Sequence, residues 1–233
     1  MNLRVLPRVN EGNDIDRVRR TRAEARLTYD RISRWYDLLE GIWEERVRHL
    51  ALKKLDLRVG ERVLEIGCGT GHGVLELARA AGAPGRAYGM DLSPRMLDIT
   101  RKRIAAAGLE GTAALLRGDA VHLPLAQGAL DAVFMSFVLE LFDTPEIPLV
   151  LSECRRVLSR GGRVCVVSLS RACGASRMRD LYEWGHLRFP RLLDCRPIFV
   201  RRALESEGFE CRDAACDSVA GLPVELVLAQ KQQ

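Results

Sequence analysis

The chain has 233 residues, 47% of them hydrophobic and 29% charged, which is enough apolar material for one core of catalytic size. No run of about 18 uncharged apolar residues occurs, and the first residues show no long apolar segment, so neither a spanning helix nor an export signal is expected. The formal net charge is +5, and the N-terminal stretch RVRRTRAEAR contributes much of the positive excess. Its arginines alternate with other residue types, a pattern that favours a solvated helix face over an anion-binding surface. These features predict a cytoplasmic protein.

The cysteines and histidines give no metal-binding pattern. There are seven cysteines without a C-x-x-C pair, and several lie in apolar runs such as RVCVVSL. The pattern predicts reduced, buried thiols rather than a disulfide framework or a zinc site. The four histidines are isolated from one another, so we expect no bound metal.

The first part of the chain is predicted to be helical. In DRISRWYDLL and IWEERVRHLALKKL the apolar residues recur every three or four positions, which is typical of amphipathic helices. We therefore expect a helical segment over residues 1–56, followed by a core over residues 57–233. No repeat or low-complexity linker indicates a second large domain.

Beyond residue 57 the pattern changes to short strands separated by helices. The runs ERVLEIG, GRAYGMD, TAALLRGD, ALDAVFMS and GRVCVVSLS are apolar or rich in β-formers. Their alternation with helical stretches predicts an α/β fold built from βαβ units around a parallel sheet.

Capping and turn residues predict several element boundaries. Ser93 followed by Pro94 predicts a helix start, and Gly161 with Gly162 predicts the end of the helix in PEIPLVLSECRRVLSR. The C-terminal part predicts a helix in IFVRRALESEG and then two strands, FECRDAACDSV and VELVLAQ, joined by a turn at residues 221–223. We expect these two strands to form a hairpin at the sheet edge.

The stretch VLEIGCGTGHG predicts a strand, a glycine turn and a helix, an arrangement that brings backbone N–H groups close to a ligand. A phosphate-binding P-loop would need a lysine after the last glycine, and a dinucleotide fingerprint would need a glycine where His72 stands. Glu65 would repel a pyrophosphate but would attract a positively charged ligand. The turn therefore favours a ligand with an amino group and a sulfonium.

The segment EIGCGTG resembles motif I of the Rossmann-like S-adenosylmethionine-dependent methyltransferases. The segments DLSPRML, RGDAVHLPL and ECRRVLSRGG resemble later motifs of that family, in the same order, with Arg160 in place of the usual proline. The resemblance implies a seven-stranded, mostly parallel sheet with an antiparallel last strand and an N-terminal helical cap. It also implies S-adenosyl-L-methionine as the cofactor.

The resemblance further implies a set of cofactor-binding residues. The glycine turn would lie against the amino-acid end of the cofactor, and an acid at the end of the second strand would bind the ribose hydroxyls. Leu92 and Met96 would pack near the adenine, Asp119 would reach its amino group, and the end of the fourth strand would lie beside the cofactor. Met96 has core packing as an alternative role. The implied residues are Glu65, Gly67, Cys68, Gly69, Asp91, Leu92, Met96, Asp119, Ala120, Met135 and Ser136.

The N-terminal TYDRISRWYDLL resembles a segment of the ubiquinone and menaquinone C-methyltransferases and of bacterial phosphatidylethanolamine N-methyltransferases. The resemblance implies a helix that covers the cofactor, with Tyr36 in contact with the cofactor. As an alternative, Tyr29 and Tyr36 could simply pack the helix onto the core. The acceptor would be apolar or lipid-like, with residues 171–197 as its wall. The candidate catalytic residues are Tyr29, Glu140 and His186, and His122 is a further candidate for accepting a proton. The alternative for Glu140 is a solvated carboxylate without a catalytic role.

Other functions fit parts of the pattern. A methyltransferase of a soluble small molecule would carry the same motifs, since fold does not decide substrate. A binding module without activity is disfavoured because the acids Glu65, Asp91 and Asp119 are all present. Nucleic acid is not expected as a partner, because the N/D-P-P-[YF] signature is absent. For a lipid-like acceptor, the basic N-terminal helix would make a peripheral membrane contact.

Overall fold

A computed structural model of the protein describes residues 44–173 and 196–232. The predictions for Tyr29, Tyr36 and His186, and those for most of the predicted acceptor wall, lie outside the described residues. Among the described helices, none is long and apolar enough to cross a membrane.

Helices and strands alternate along the described chain. A helix over residues 44–55 (α1) comes first. The strands are β1 (Arg62–Ile66), β2 (Arg86–Asp91), β3 (Ala113–Arg117), β4 (Leu130–Ser136), β5 (Leu158–Leu169), β6 (Phe209–Val219) and β7 (Leu222–Lys231). The other helices are α2 (His72–Ala81), α3 (Pro94–Ala106), α4 (Ile147–Val157) and α5 (Val200–Ser206), and a short 3-10 turn covers Leu139–Leu141.

The seven strands form one sheet in the order β3-β2-β1-β4-β5-β7-β6. Neighbouring strands from β3 to β5 are parallel, whereas β7 is antiparallel to both β5 and β6. The predicted mostly parallel sheet with an antiparallel last strand is confirmed, and so is the hairpin at the edge. Ser93 caps α3 as predicted, since its Oγ accepts a hydrogen bond from Met96 N at 3.1 Å.

Each face of the sheet is covered by helices. On one face α1, α2 and α3 pack through residues such as Leu55, Leu77 and Leu97. On the other face α4 and α5 pack through residues such as Leu151 and Leu204. Buried residues therefore occur on both sides of the central strands, as expected for parallel strands between two helical layers.

Helix α1 lies along β5 and runs in the opposite direction. Arg163, near the start of the paired part of β5, donates from Nε to the carbonyl of Leu55 at 2.5 Å. Further along the strand, the Cys165 thiol contacts the carbonyl of Ala51 at 3.6 Å. The first turn of α1 therefore lies near the carboxyl ends of the parallel strands.

Two predicted boundaries were wrong. The helix predicted to end at the glycine pair ends at Val157, because Leu158 is already extended and pairs with Leu130. Gly161 and Gly162 lie inside β5, where the register shifts, and Gly161 has a φ of 71°. A bulge in a strand uses glycine for the same conformational reason as a helix end does, so the sequence alone did not separate the two.

The hairpin turn was also misplaced, by one residue. Ala220 and Gly221 both have positive φ, at 49° and 80°, and β7 already begins at Leu222. Pro223 pairs with Ser218 inside the hairpin instead of forming the turn. A two-residue loop with positive φ at both positions matches the twist of the strands that it joins.

The prediction that all cysteines are reduced was wrong. Cys173, which follows β5, forms a disulfide with Cys216 on the edge strand β6, and their Cα atoms are 5.6 Å apart. Cys68, Cys154 and Cys165 are free and buried, as predicted. The two bonded cysteines are 43 positions apart in sequence, so only strand pairing brings them together.

Candidate cofactor and active site

The candidate site lies at the carboxyl ends of β1, β2 and β4. From β1 the chain moves outward through β2 to β3 and then returns to β4 on the other side of β1. Open α/β sheets bind ligands in the crevice where the strand order reverses in this way. The glycine turn follows β1 and therefore lies at that crevice.

The glycine turn is held by backbone hydrogen bonds to β2. The N–H groups of Gly67 and Cys68 both donate to the carbonyl of Met90, at 2.8 and 3.0 Å. Gly67, Gly69 and Gly71 have φ values of 68°, 51° and 91°, which L side chains rarely adopt. The three glycines thus allow a compact turn between β1 and α2, onto which the side chains of Val138 and Thr100 pack closely.

Glu65 is buried against the first turn of α2. Its side chain is only 4% exposed, and an ideal Cβ on Gly73 would lie 2.1 Å from Oε1 of Glu65. Gly73 therefore leaves room for the carboxylate at the base of the glycine turn. Sequence reasoning did not predict this role of Gly73, because the contact joins residues on two different elements, β1 and α2.

Asp91 links the end of β2 to the glycine turn. Its Oδ2 accepts a hydrogen bond from Gly69 N at 3.0 Å, and its Oδ1 accepts one from Ser93 N at 2.8 Å. Two backbone donors fix the orientation of the carboxylate, and each oxygen has a further lone pair for a ligand hydroxyl. The geometry fits the predicted ribose-binding role.

Helix α3 supports the glycine turn from the outside. Thr100 Oγ1 donates to the carbonyl of Gly69 at 2.8 Å, and Arg103 NH1 donates to both oxygens of Thr70 at 3.0 Å. The same guanidinium lies 2.7 Å from His72 Nε2, at the start of α2. Sequence reasoning missed Thr100 and Arg103, although their spacing of three residues places them on one face of α3.

Asp119 and Ala120 lie in the loop after β3. Asp119 Oδ1 accepts a hydrogen bond from Val121 N at 3.2 Å, and the neighbouring Gly118 N–H reaches the carbonyl of Asp91 at 3.3 Å. Ala120 is buried. The loop is therefore joined to the end of β2, and Asp119 lies with Asp91 at the carboxyl ends of the parallel strands.

The remaining predicted cofactor residues differ in burial. Met135 at the end of β4 and Met96 on α3 are buried, whereas Leu92 and Ser136 are half-buried. Beyond β4, Val138 closes over the turn, since an ideal Cβ on Gly67 would lie 2.4 Å from its Cγ2. The chain after β4 thus packs directly on the glycine turn.

Glu140 is fully buried, at 0% exposure, in the 3-10 turn after β4. Its Oε1 accepts a hydrogen bond from Leu169 N at 3.3 Å, at the end of β5. Burial raises its pKa from 4.5 to about 7. The alternative of a solvated carboxylate was therefore wrong. His122 is exposed in the loop after β3.

The electrostatics of the turn suit a positively charged ligand. Burial raises the pKa of the Cys68 thiol well above its ordinary value, and the negative charges of Asp91 and Glu65 raise it further. Both carboxylates therefore act on the middle of the glycine turn. A pyrophosphate would be repelled there, whereas the ammonium and sulfonium of S-adenosyl-L-methionine fit this charge pattern.

The comparison with known proteins agrees with this geometry. A family model described as a methyltransferase domain matches residues 63–162. The demethylmenaquinone methyltransferase of Geobacillus kaustophilus is 33% identical over 144 residues, which are 59% of this chain and 60% of that protein. The chain thus spans less than two thirds of the length of that relative.

Two further proteins extend the comparison. The demethylmenaquinone methyltransferase of Symbiobacterium thermophilum is 32% identical over 200 residues, covering 79% of this chain and 78% of that protein. The crystal structure of the [4+2]-cyclase SpnF has a TM-score of 0.71 at 20% identity, covering 89% of this chain and 95% of that one. The cyclase shows the shared fold alone. From the match over most of both sequences, we conclude that the chain belongs to the class I S-adenosylmethionine-dependent methyltransferases.

Proposed function

We propose that the protein transfers the methyl group of S-adenosyl-L-methionine to an apolar, lipid-like acceptor of the quinone-precursor type. The observation that carries the proposal is the pair of carboxylates, Glu65 and Asp91, on either side of a turn of three glycines. The named relatives are demethylmenaquinone methyltransferases, which supports a quinone-type acceptor.

The residues at the carboxyl ends of the parallel strands have distinct roles in this proposal. Glu65 attracts the ammonium group of the cofactor, Asp91 binds the ribose hydroxyls, and Asp119 with Ala120 binds the adenine. The bound cofactor supplies an electrophilic methyl group on a sulfonium. The chain itself aligns the acceptor with that methyl group and excludes water, which are the main contributions that a protein makes to an in-line displacement.

The acceptor side of the proposal rests partly on residues outside those described. Among these residues, the catalytic roles of Tyr29 and His186 and the cofactor contact of Tyr36 remain predictions. Residues 171–197 remain the predicted acceptor wall, and the arginine-rich segment remains the predicted membrane contact. The proposed location is cytoplasmic, at the membrane surface.

Transfer of labelled methyl groups tests the reaction. The protein is incubated with methyl-labelled S-adenosyl-L-methionine and a quinol precursor in liposomes, and the label is partitioned between organic and aqueous phases. Label in the organic phase, with a rate that rises with liposome content, supports the proposal. When a cell extract replaces the quinol, label in an aqueous product other than S-adenosyl-L-methionine indicates a soluble acceptor, and cofactor binding without transfer indicates a binding module.

Substitution of Asp91 tests the cofactor site independently of the acceptor. Asp91→Ala removes the acceptor of two backbone hydrogen bonds and the proposed ribose ligand, so we expect at least a 100-fold loss of cofactor affinity in calorimetry. Asp98→Ala is the control, because Asp98 is exposed on α3 and pairs with Arg101. Unchanged affinity of Asp91→Ala would contradict the proposed cofactor site.

A further inference from the structure

A buried carboxyl group with an incomplete set of hydrogen bonds lies beside the candidate site. Glu140 is fully buried, and in the described part of the chain its Oε2 has no hydrogen-bond partner. Its Oε1 accepts from Leu169 N at the end of β5, and the hydroxyl of Ser168 also acts on the carboxylate. A carboxylate in such a place is costly, so a functional use is the natural explanation.

A second carboxyl group reaches the same place from α1. The contacts of Leu55 and Ala51 with β5 fix the helix antiparallel to the strand. From residue 55 back to residue 44 the helix rises about 16 Å, and from residue 163 to residue 169 the strand advances about 20 Å. Glu44 therefore lies near the carboxyl end of β5, where Glu140 binds Leu169.

The charge of Glu44 acts on the carboxyl group of Glu140. Burial raises the pKa of Glu44 to about 7, and the charge of Glu44 contributes to the raised pKa of Glu140. The negative charge of the half-buried Glu44 thus helps to keep the Glu140 carboxyl group partly protonated near neutral pH. Because the pKa of Glu140 is raised to about 7, this carboxyl group is suited to accept a proton near neutral pH.

Few other charged groups of the described residues face the pair. Arg48, one turn along α1, lowers the pKa of Glu44 and also lies 3.5 Å from Glu76. Glu225 on β7 is opposite Ser168 in the register. Arg196 donates to the carbonyl of Phe142 and to Thr144, just beyond the 3-10 turn. None of these contacts supplies a hydrogen bond to Oε2 of Glu140.

We propose that Glu140 accepts the proton of a hydroxyl-bearing acceptor, with Glu44 as the positioning residue that keeps this carboxylate basic. The inference rests on the proposed function and names the substrate class as a phenol or quinol. Glu140 lies two residues from Val138, which contacts the glycine turn, so the base is at the strand edge where the methyl group is delivered.

The proton and electron balance is simple. The O–H bond of the acceptor breaks, its proton moves to the Glu140 carboxylate, and its electron pair stays on the acceptor. The acceptor then forms its bond to the methyl group as the bond from methyl to sulfur breaks, with that electron pair left on sulfur. If a ring carbon is methylated, its proton afterwards returns to the oxygen, so one proton leaves the acceptor for each methyl group transferred.

Titration of the protein without cofactor tests the carboxyl pair. Side-chain carboxyl resonances of ¹³C-glutamate are followed against pH in the full chain. Glu140→Gln should remove a titration with a midpoint near 7, and Glu44→Gln should move the Glu140 midpoint to lower pH. Glu225→Gln is the matched control, because this buried carboxyl is hydrogen-bonded by Ser170 and Val200 N. A Glu140 midpoint that does not respond to Glu44→Gln would overturn the pair.

Kinetics test the role in proton transfer. Glu140→Gln should lower methyl transfer to a quinol by about 100-fold or more while the cofactor dissociation constant stays within about threefold of the wild-type value. Glu140→Asp should restore part of the rate, and Glu44→Gln should shift the rising limb of the pH profile to lower pH. Full activity of Glu140→Gln would overturn the inference, whereas a wild-type protein that methylates no acceptor would overturn the proposed function itself.

Discussion

The carboxylate of Glu65 occupies the space that a side chain on Gly73 would fill, since an ideal Cβ there would lie 2.1 Å from Oε1. This contact couples β1 to α2 at the glycine turn. The absence of a side chain at residue 73 thus positions the negative charge that we assign to cofactor recognition.

We predict that Gly73→Ala weakens cofactor binding by at least tenfold and lowers the melting temperature. Alanine in place of glycine inside a helix would by itself stabilise the protein by about 1 kcal/mol, so a loss shows that the clash with Glu65 is the larger effect. Gly111→Ala is the control, because a Cβ at Gly111 has nothing within 4 Å. Equal behaviour of the two variants in calorimetry and thermal unfolding would refute the coupling.

We predict that Thr100→Val weakens cofactor binding by roughly 5- to 100-fold. The change keeps the size of the side chain but removes the hydrogen bond that holds the Gly69 carbonyl in the turn, and a lost hydrogen bond at a part-buried carbonyl costs about 1–3 kcal/mol. Thr112→Val is the matched control, since the Thr112 hydroxyl donates to the Leu109 carbonyl, at 3.4 Å, and not to the glycine turn. Calorimetric titration with S-adenosyl-L-methionine measures the difference, and an equal effect of both substitutions would argue against support of the turn by α3.

Stability should depend on pH through Glu140. Its pKa is raised from 4.5 to about 7 in the folded state, so the folded protein binds more protons than the unfolded chain between these values. The free energy of unfolding should therefore fall as pH rises from about 5 to 7, by at most about 1.4 kcal/mol per pH unit for one group. Glu140→Gln should make this fall shallower in urea unfolding measured at several pH values.

Glu153 provides the control for that experiment. Hydrogen bonds from Arg156 lower its pKa, so its contribution to stability is present above about pH 5 and is lost only as pH falls further. Glu153→Gln should leave the slope between pH 5 and 7 unchanged. A slope that Glu140→Gln does not alter would show that Glu140 titrates normally.

Removal of the disulfide should destabilise the protein. The Cys173–Cys216 bond closes a loop with a sequence separation of 43, for which the lost chain entropy corresponds to about 2–4 kcal/mol. We expect the double variant Cys173→Ser/Cys216→Ser to lose stability of this order, and a reducing agent to bring the wild-type protein to the same value. Cys211→Ser, at a free and half-buried cysteine, should show little change.

The sequence by itself determined much of the fold. The order of short apolar runs and helices predicted the parallel sheet, because secondary-structure periodicity is a local property. Ser93 and Pro94 predicted the start of α3 for the same reason. Glu65, Asp91 and Asp119 were predicted as cofactor ligands from positions at or near the carboxyl ends of their strands, and parallel strands end on one side of the sheet.

Only the tertiary structure decided the contacts between distant segments. It joined Cys173 to Cys216, placed the glycine pair at residues 161 and 162 in a strand bulge, and brought Glu44 of α1 to the end of β5 near Glu140. The burial of Glu140 likewise had no sequence signal, since a glutamate beside leucines is equally consistent with an exposed turn. Pairing across the sheet and desolvation depend on which surfaces meet, and local sequence patterns do not encode that information.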